Sequence, residues 1–203
     1  QYPNYGHVGS DKTDPIYLVD GRRSKICVNN RNNVFIVYEN DESGTTQLHI
    51  IGTGDFSQDS ITGPKSRRVT KLIGSQQFQW KYAITSGEGV NQLCDMVIDK
   101  NDVVHIVWQS NRDNYWEIYY TNATDAFEPI RVTKSNSKSM SPSLTIADNG
   151  DVFVVYHDDR FGKQQILMSI KQENRILPLL QQDAYLASLR SSYSHYVNRL
   201  PIV

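Results

Sequence analysis

Cysteine is nearly absent: Cys27 and Cys94 are the only two in 203 residues. Two cysteines build no disulfide framework and have no metal-ligand spacing, so they read as two buried thiols, with a single bridge as the alternative. Long hydrophobic runs are also missing. No apolar stretch approaches the roughly 18 residues of a bilayer-crossing helix, so no membrane span is expected. Charge of one sign is not in excess: 21 Lys and Arg face 22 Asp and Glu, for a formal charge of −1, and no block of like charges occurs. That balance excludes nucleic-acid or membrane-surface binding driven by bulk electrostatics. The chain carries no phosphate-binding loop, no Gly-x-Ser-x-Gly and no His-Glu-x-x-His, so no cofactor and no metal are expected. It starts at Gln1 without a charged, apolar-cored leader, and is expected to be processed or a piece of a longer polypeptide.

What the chain does have is tyrosine, twelve of them, within a modest hydrophobic content of 38%. That mixture suits strands with one face buried. Three segments, 28–48, 98–118 and 146–166, align without a gap. Val34, Val104 and Val152 share a column, as do Ile36, Ile106 and Val154, then Val37, Val107 and Val155. An aromatic closes each run (Tyr38, Trp108, Tyr156), and an aliphatic opens the next one (Leu48, Ile118, Ile166). The turn columns agree as well: Asn32, Asp102 and Gly150 in one, Gly44, Asn114 and Gly162 in another, Asp41, Asn111 and Asp159 in a third. The first two hold residue types that tolerate a left-handed backbone. Each unit therefore reads strand, tight turn, strand, longer loop, strand. A fourth strand follows at 67–70, 129–133 and 175–180, and an orphan copy, "PIYLV", stands upstream at 15–19.

Four-stranded antiparallel units at such spacing predict β-propeller blades. The expected organisation is an N-terminal segment, 1–24, then three blades over 25–180 with an insertion near 72–90, then a helix and tail over 181–203. "SPSLTIADNGDVFVVYHDDRFGKQQILMS" resembles the repeat of sialidase-like (BNR-type) and TolB-type propellers, and "MVIDKNDVVHIVWQSNRDNYWEIYYT" resembles it too. The resemblance implies an all-β fold of three antiparallel four-stranded propeller-type blades, an incomplete propeller, with a C-terminal amphipathic helix. Three blades do not close a ring of the usual four to eight. Either further blades of a longer parent complete it, or another protein chain does, two copies making six, or the units form a stack of small sheets that is not a propeller.

In that family sialidases use an arginine cluster, a tyrosine nucleophile and an acid. This sequence departs from the family's Asp box, Ser-x-Asp-x-Gly-x-Thr-Trp, and from its Arg-Ile-Pro signature. Asp158 and Asp159 are adjacent on one strand end and read as turn structure. Arg112 and Arg160 share a column and suit either an anionic ligand or a blade-to-blade salt bridge. His105 replaces a Phe of its column and is expected at an interior contact, and "DKND" and "DNGD" read as hairpin turns rather than calcium loops. The insertion puts Phe78, Trp80 and Tyr82 on one face if extended, a stacking surface for a glycan or an anchor for a protein. Together with Tyr115 and Trp116, these residues and the two arginines are the binding candidates. Leu186, Leu189, Tyr193 and Tyr196 form the stripe of the C-terminal helix, which packs on the last blade or on a partner chain. No catalytic residue is assigned. The function expected is a non-enzymatic binding or structural module within a larger assembly, in an extracellular, cell-surface or virion setting. The rival is a glycoside hydrolase, or a carbohydrate-binding module, completed by missing blades.

Overall fold

The β-branched and aromatic runs of the repeat form strands, because such side chains pack well on a pleated, half-buried surface. The computed structural model describes residues 17–54, 66–67, 71–73, 76–87, 89–172 and 175–176. Among them are fourteen strands and no helix. The first sheet holds β1 (Arg22–Val28), β2 (Val34–Asn40), β3 (Gln47–Thr53), β4 (Ser66–Arg67), β5 (Lys71–Ile73) and β6 (Gln76–Ala83). The second holds β7 (Asn91–Ile98), β8 (Val104–Ser110), β9 (Glu117–Asn122) and β10 (Ile130–Arg131). The third holds β11 (Ser139–Ile146), β12 (Val152–Asp158), β13 (Gln165–Gln172) and β14 (Arg175–Ile176). Every pairing is antiparallel between strand neighbours, and the second and third sheets are simple meanders.

The turn columns fold as their residue types require. Asn32, Asp102 and Gly150 have φ of 60°, 64° and 90°, and Gly44, Asn114 and Gly162 have φ of 85°, 74° and 77°. A third left-handed column is invisible as a pattern of residue types: Arg23, Leu93 and Ser141 have φ of 47°, 51° and 51°. Each sits in a bulge where the first strand of its sheet slips register against the second. A bulge re-aims the backbone N–H of its extra residue. Here the Leu93 N–H donates to Glu39 Oε1 of the first sheet, and the Ser141 N–H donates to Gln109 Oε1 of the second, both at 2.8 Å. Glu39 and Gln109 occupy the same repeat column.

Stacking follows from alternation. Side chains of one face of the first sheet (Phe35, Val37, Leu48, Ile50, Tyr82) pack on Cys94, Met96, Ile106, Trp108 and Tyr119 of the second. The opposite face of the second sheet (Val107, Ile118, Tyr120) packs on Leu144, Val152, Val154 and Tyr156 of the third. With these named the rear and front faces, each rear face meets the next front face, and β7 lies against both β1 and β11. Repeated backbone bonds tie the ends, Asn91 N–H to Thr46 O at 2.9 Å and Ser139 N–H to Trp116 O at 2.8 Å.

Two details differ from the sequence expectation. The strand beside β3 is β6, not 67–70, and β4 and β5 pair with β6 instead. Thr85 Oγ1 accepts from the Leu48 N–H just as Thr133 Oγ1 accepts from that of Ile118. The extra residues of the first unit therefore fall between Leu48 and Thr85. The orphan copy at 15–19 is described only from Tyr17, and 17–19 is not strand: Leu18 and Val19 pack on Tyr38 and Ile51. The helix expected over 181–203, with Leu186, Leu189, Tyr193 and Tyr196, lies outside the described residues. Cys27 and Cys94 are both free thiols, and burial pushes Cys94 up to about 12. Among the described residues no helix is long and apolar enough to cross a membrane.

Candidate functional site

The loops joining the second and third strands of each sheet (41–46, 111–116, 159–164) lie at one end, with the crossings at 84–87, 89–90 and 132–138. Short polar turns there leave side chains from different sheets side by side. The second sheet supplies most of the chemistry. The Arg112 guanidinium stacks on the Tyr119 ring, 4.5 Å from its centroid, with Trp108 at 6.0 Å. Its Nη2 donates to Asn91 Oδ1 at 2.7 Å, and its Nε donates to Ser110 Oγ at 3.1 Å. Trp108 Nε1 donates to the same Asn91 oxygen at 3.0 Å. Beside it, Arg131 bridges Asp113 at 2.9 Å and Glu117 at 2.8 Å. The Tyr119 hydroxyl donates to Asp113, and burial followed by that carboxylate raises its pKa.

Each fully buried acid here is neutralised by its surroundings. Glu117 accepts from Arg131, from the Thr133 hydroxyl and from the Ser135 N–H. Glu39 faces Arg22 at 3.2 Å and Arg23 at 3.1 Å, besides the Leu93 N–H. Asp158 ends β12 rather than lying in the turn. Burial alone would raise its pKa, but Arg160, Ser139, the Arg160 N–H and Ser137 hold it well below the usual carboxylate range. Arg160 pairs with Asp158 of its own sheet through Nε and Nη2 at 2.8 and 2.7 Å. Neither Arg112 nor Arg160 makes a blade-to-blade salt bridge among the described residues: Arg160 stays within one sheet, and Arg112 bonds neutral groups.

The aromatic candidates divide. Tyr82 is buried against Phe127, ring centroids 5.3 Å apart, in the junction of the first two sheets. Trp80 is half-buried, and its indole N–H donates to Gly54 O at 2.8 Å. Its ring lies so close to the backbone that a Cβ on Gly52 would fall 2.2 Å from Cζ2. Phe78 belongs to β6, where it pairs with Thr53. Tyr115, 44% exposed, and half-buried Trp116 stand in the 111–116 loop. The corresponding loop of the third sheet presents Phe161, 63% exposed, a residue that the alignment of columns does not single out. A bulky apolar residue in a polar Asp-Arg-x-Gly turn is the signal in the sequence that marks it.

His105 is an interior contact, as its column suggests. The Tyr120 hydroxyl accepts from Asn122 Nδ2 at 3.4 Å and shares a hydrogen bond with His105 Nδ1 at 2.6 Å. His105 Nε2 lies 3.5 Å from Asp99. Burial lowers the His105 pKa and Asp99 opposes the shift. Asp99 also caps its own turn by accepting from the Asn101 and Val103 N–H groups. Among the described residues no group of three His, Cys, Asp or Glu is placed to hold a metal ion.

No protein-family model matches the chain, and no curated protein matches it. Among solved structures it is similar to one titled "Crystal structure of a thermostable family-43 glycoside hydrolase", with 15% identity and a TM-score of 0.40 over 76% of this chain. The match covers 59% of that hydrolase chain.

Proposed function

We propose that the three sheets are propeller-type blades of a non-enzymatic binding or structural module working within a larger assembly. The blades occupy 25–180, and their loop end is the binding surface. The observation that carries this reading is the division of labour at that end. Its buried acids, Glu39, Glu117 and Asp158, are each engaged by arginines, hydroxyls and backbone N–H groups that hold the frame. Acid–base hydrolysis of a glycoside asks for a carboxyl group with a raised pKa beside an ionised one, and Asp158, held low against its burial by Arg160, Ser139 and Ser137, suits only the ionised role. The large apolar side chains that stand clear of the frame in these loops are aromatic, Tyr115 and Phe161, with half-buried Trp116 next to Tyr115 in the chain. Aromatic faces are suited to the apolar side of sugar rings and to protein hot spots.

The test uses the full chain on a glycan array, with release of reducing sugar followed in parallel. Retention that falls at least tenfold in Tyr115→Ala or Phe161→Ala, at an unchanged melting temperature, supports the loop surface. Retention indifferent to both changes rejects that surface. Sugar release by the native chain rejects the non-enzymatic role.

A further inference from the structure

The two internal junctions are copies of one another, and each outer sheet carries half of a third. At both junctions the rear-face aliphatics are sealed: Val37, Leu48, Val107 and Ile118 are all at 0% exposure. Their equivalents on the rear of the third sheet are open, Val155 at 40% and Ile166 at 76%. The front-face residues that seal a junction, Met96 and Leu144, are 4% and 7% exposed, whereas their equivalent in the first sheet, Ile26, is 64% exposed. Val28, on the same front face, is 56% exposed.

The polar parts of the junction are left over in the same way. Glu39 and Gln109 accept the bulge N–H of the next sheet. The third sheet has half-buried His157 in that column, paired across the ladder with Ile166 and so on the same rear face. A neutral imidazole nitrogen is an acceptor. The first sheet has the matching bulge at Arg23. Asp95 joins Lys25 of the first sheet at 3.6 Å to Ser143 of the third at 2.6 Å, all three in one repeat column and paired with the rear-face Val107, Val37 and Val155. The Ser143 hydroxyl oxygen can also accept from the Lys25 ammonium of a neighbouring copy.

We propose that a second copy of this chain seats the front of its first sheet on the rear of the third sheet. Val155 and Ile166 then cover Ile26 and Val28, and His157 accepts the bulge N–H of Arg23. The contact is head-to-tail, a geometry that runs on as a filament unless the rotation per copy closes it, and closure at two copies is part of the proposal. Two copies supply six sheets, within the four to eight that close a propeller. This closure rests on the blade reading given above.

The full chain is weighed in solution by light scattering across concentration, alone and with two variants. Ile166→Asp blocks the rear face, and Ile26→Asp blocks the front. Both side chains are exposed in the single chain, so each variant is expected to melt as a monomer normally does. The expected result is a native mass of twice 23.2 kDa, with each variant weakening association at least about tenfold. An equimolar mixture of the two variants regains the doubled mass, because one front and one rear remain intact. A native chain that stays monomeric overturns the proposal. So does a mass that climbs without limit, or a pair indifferent to both changes, or a mixture that stays apart. A monomer that keeps the loop-dependent glycan retention loses the pairing and leaves the binding role standing.

Discussion

His105 shows how a single side chain couples the stacking of sheets to pH. It lies between the second and third sheets, in the column that holds Phe35 and Phe153 elsewhere. Burial lowers its pKa, with Lys171 acting in the same sense and Asp99 and Asp125 against. A depressed histidine is neutral in the folded chain while the unfolded chain already takes up a proton near 6.5. Its contribution to stability is therefore intact above about 6.5 and lost as pH falls toward the lower folded value. His105→Phe fits the column and removes the titration. The difference in urea-unfolding free energy between pH 7.5 and pH 5.5 should shrink in the variant, because unfolding no longer takes up that proton. His49, lowered by burial and Lys81, leaves a residual slope. An unchanged difference would show that the imidazole is not desolvated as the packing indicates.

At the scale of an element, the repeated bulge does more than bend a strand. It puts a backbone N–H where the neighbouring sheet offers a side-chain acceptor, so register within one sheet is locked by the next. Gln109→Leu keeps the volume and leaves the Ser141 N–H without its acceptor. An unmet buried donor costs about 1–3 kcal/mol. Part of that is offset, because Gln109 Nε2 is itself a buried donor without a partner. A net loss of about 1 kcal/mol in the denaturant midpoint analysis is expected, and no loss would mean that the bond contributes nothing. This device is not legible in the sequence. Arg23, Leu93 and Ser141 share no chemistry, and only their backbone angle recurs along the repeat. The hairpins are legible, because alternation and left-handed turn residues are local signals. The place of β6 is not, because several short apolar segments after β3 carry the same local pattern, and it is β6, with Trp80 and Tyr82, that pairs with β3. Of the site candidates, Arg112 and Arg160 can be located by column. Their partners cannot, since Asn91 and Ser110 reach Arg112 from different strands.

For the whole molecule, the stacking order sets a gradient of stability. The second sheet is covered on both faces, and every residue of β8 and β9 is buried. The first sheet shows its front at Ile26 and Val28, and the third shows its rear at Val155 and Ile166. Amides open to solvent with free energies that range from near zero at poorly covered edges up to the global value in the best-packed strands. Hydrogen exchange of the full chain, read by mass spectrometry at low concentration, should therefore find β8 and β9 the slowest. β1, an edge strand paired only with β2, and β13 should exchange at least tenfold faster. At high concentration, β1 and β12 should slow while β8 and β9 do not, because association covers only the outer faces. Uniform protection across the three sheets would mean that they unfold as one unit and that the exposed faces carry no local weakness.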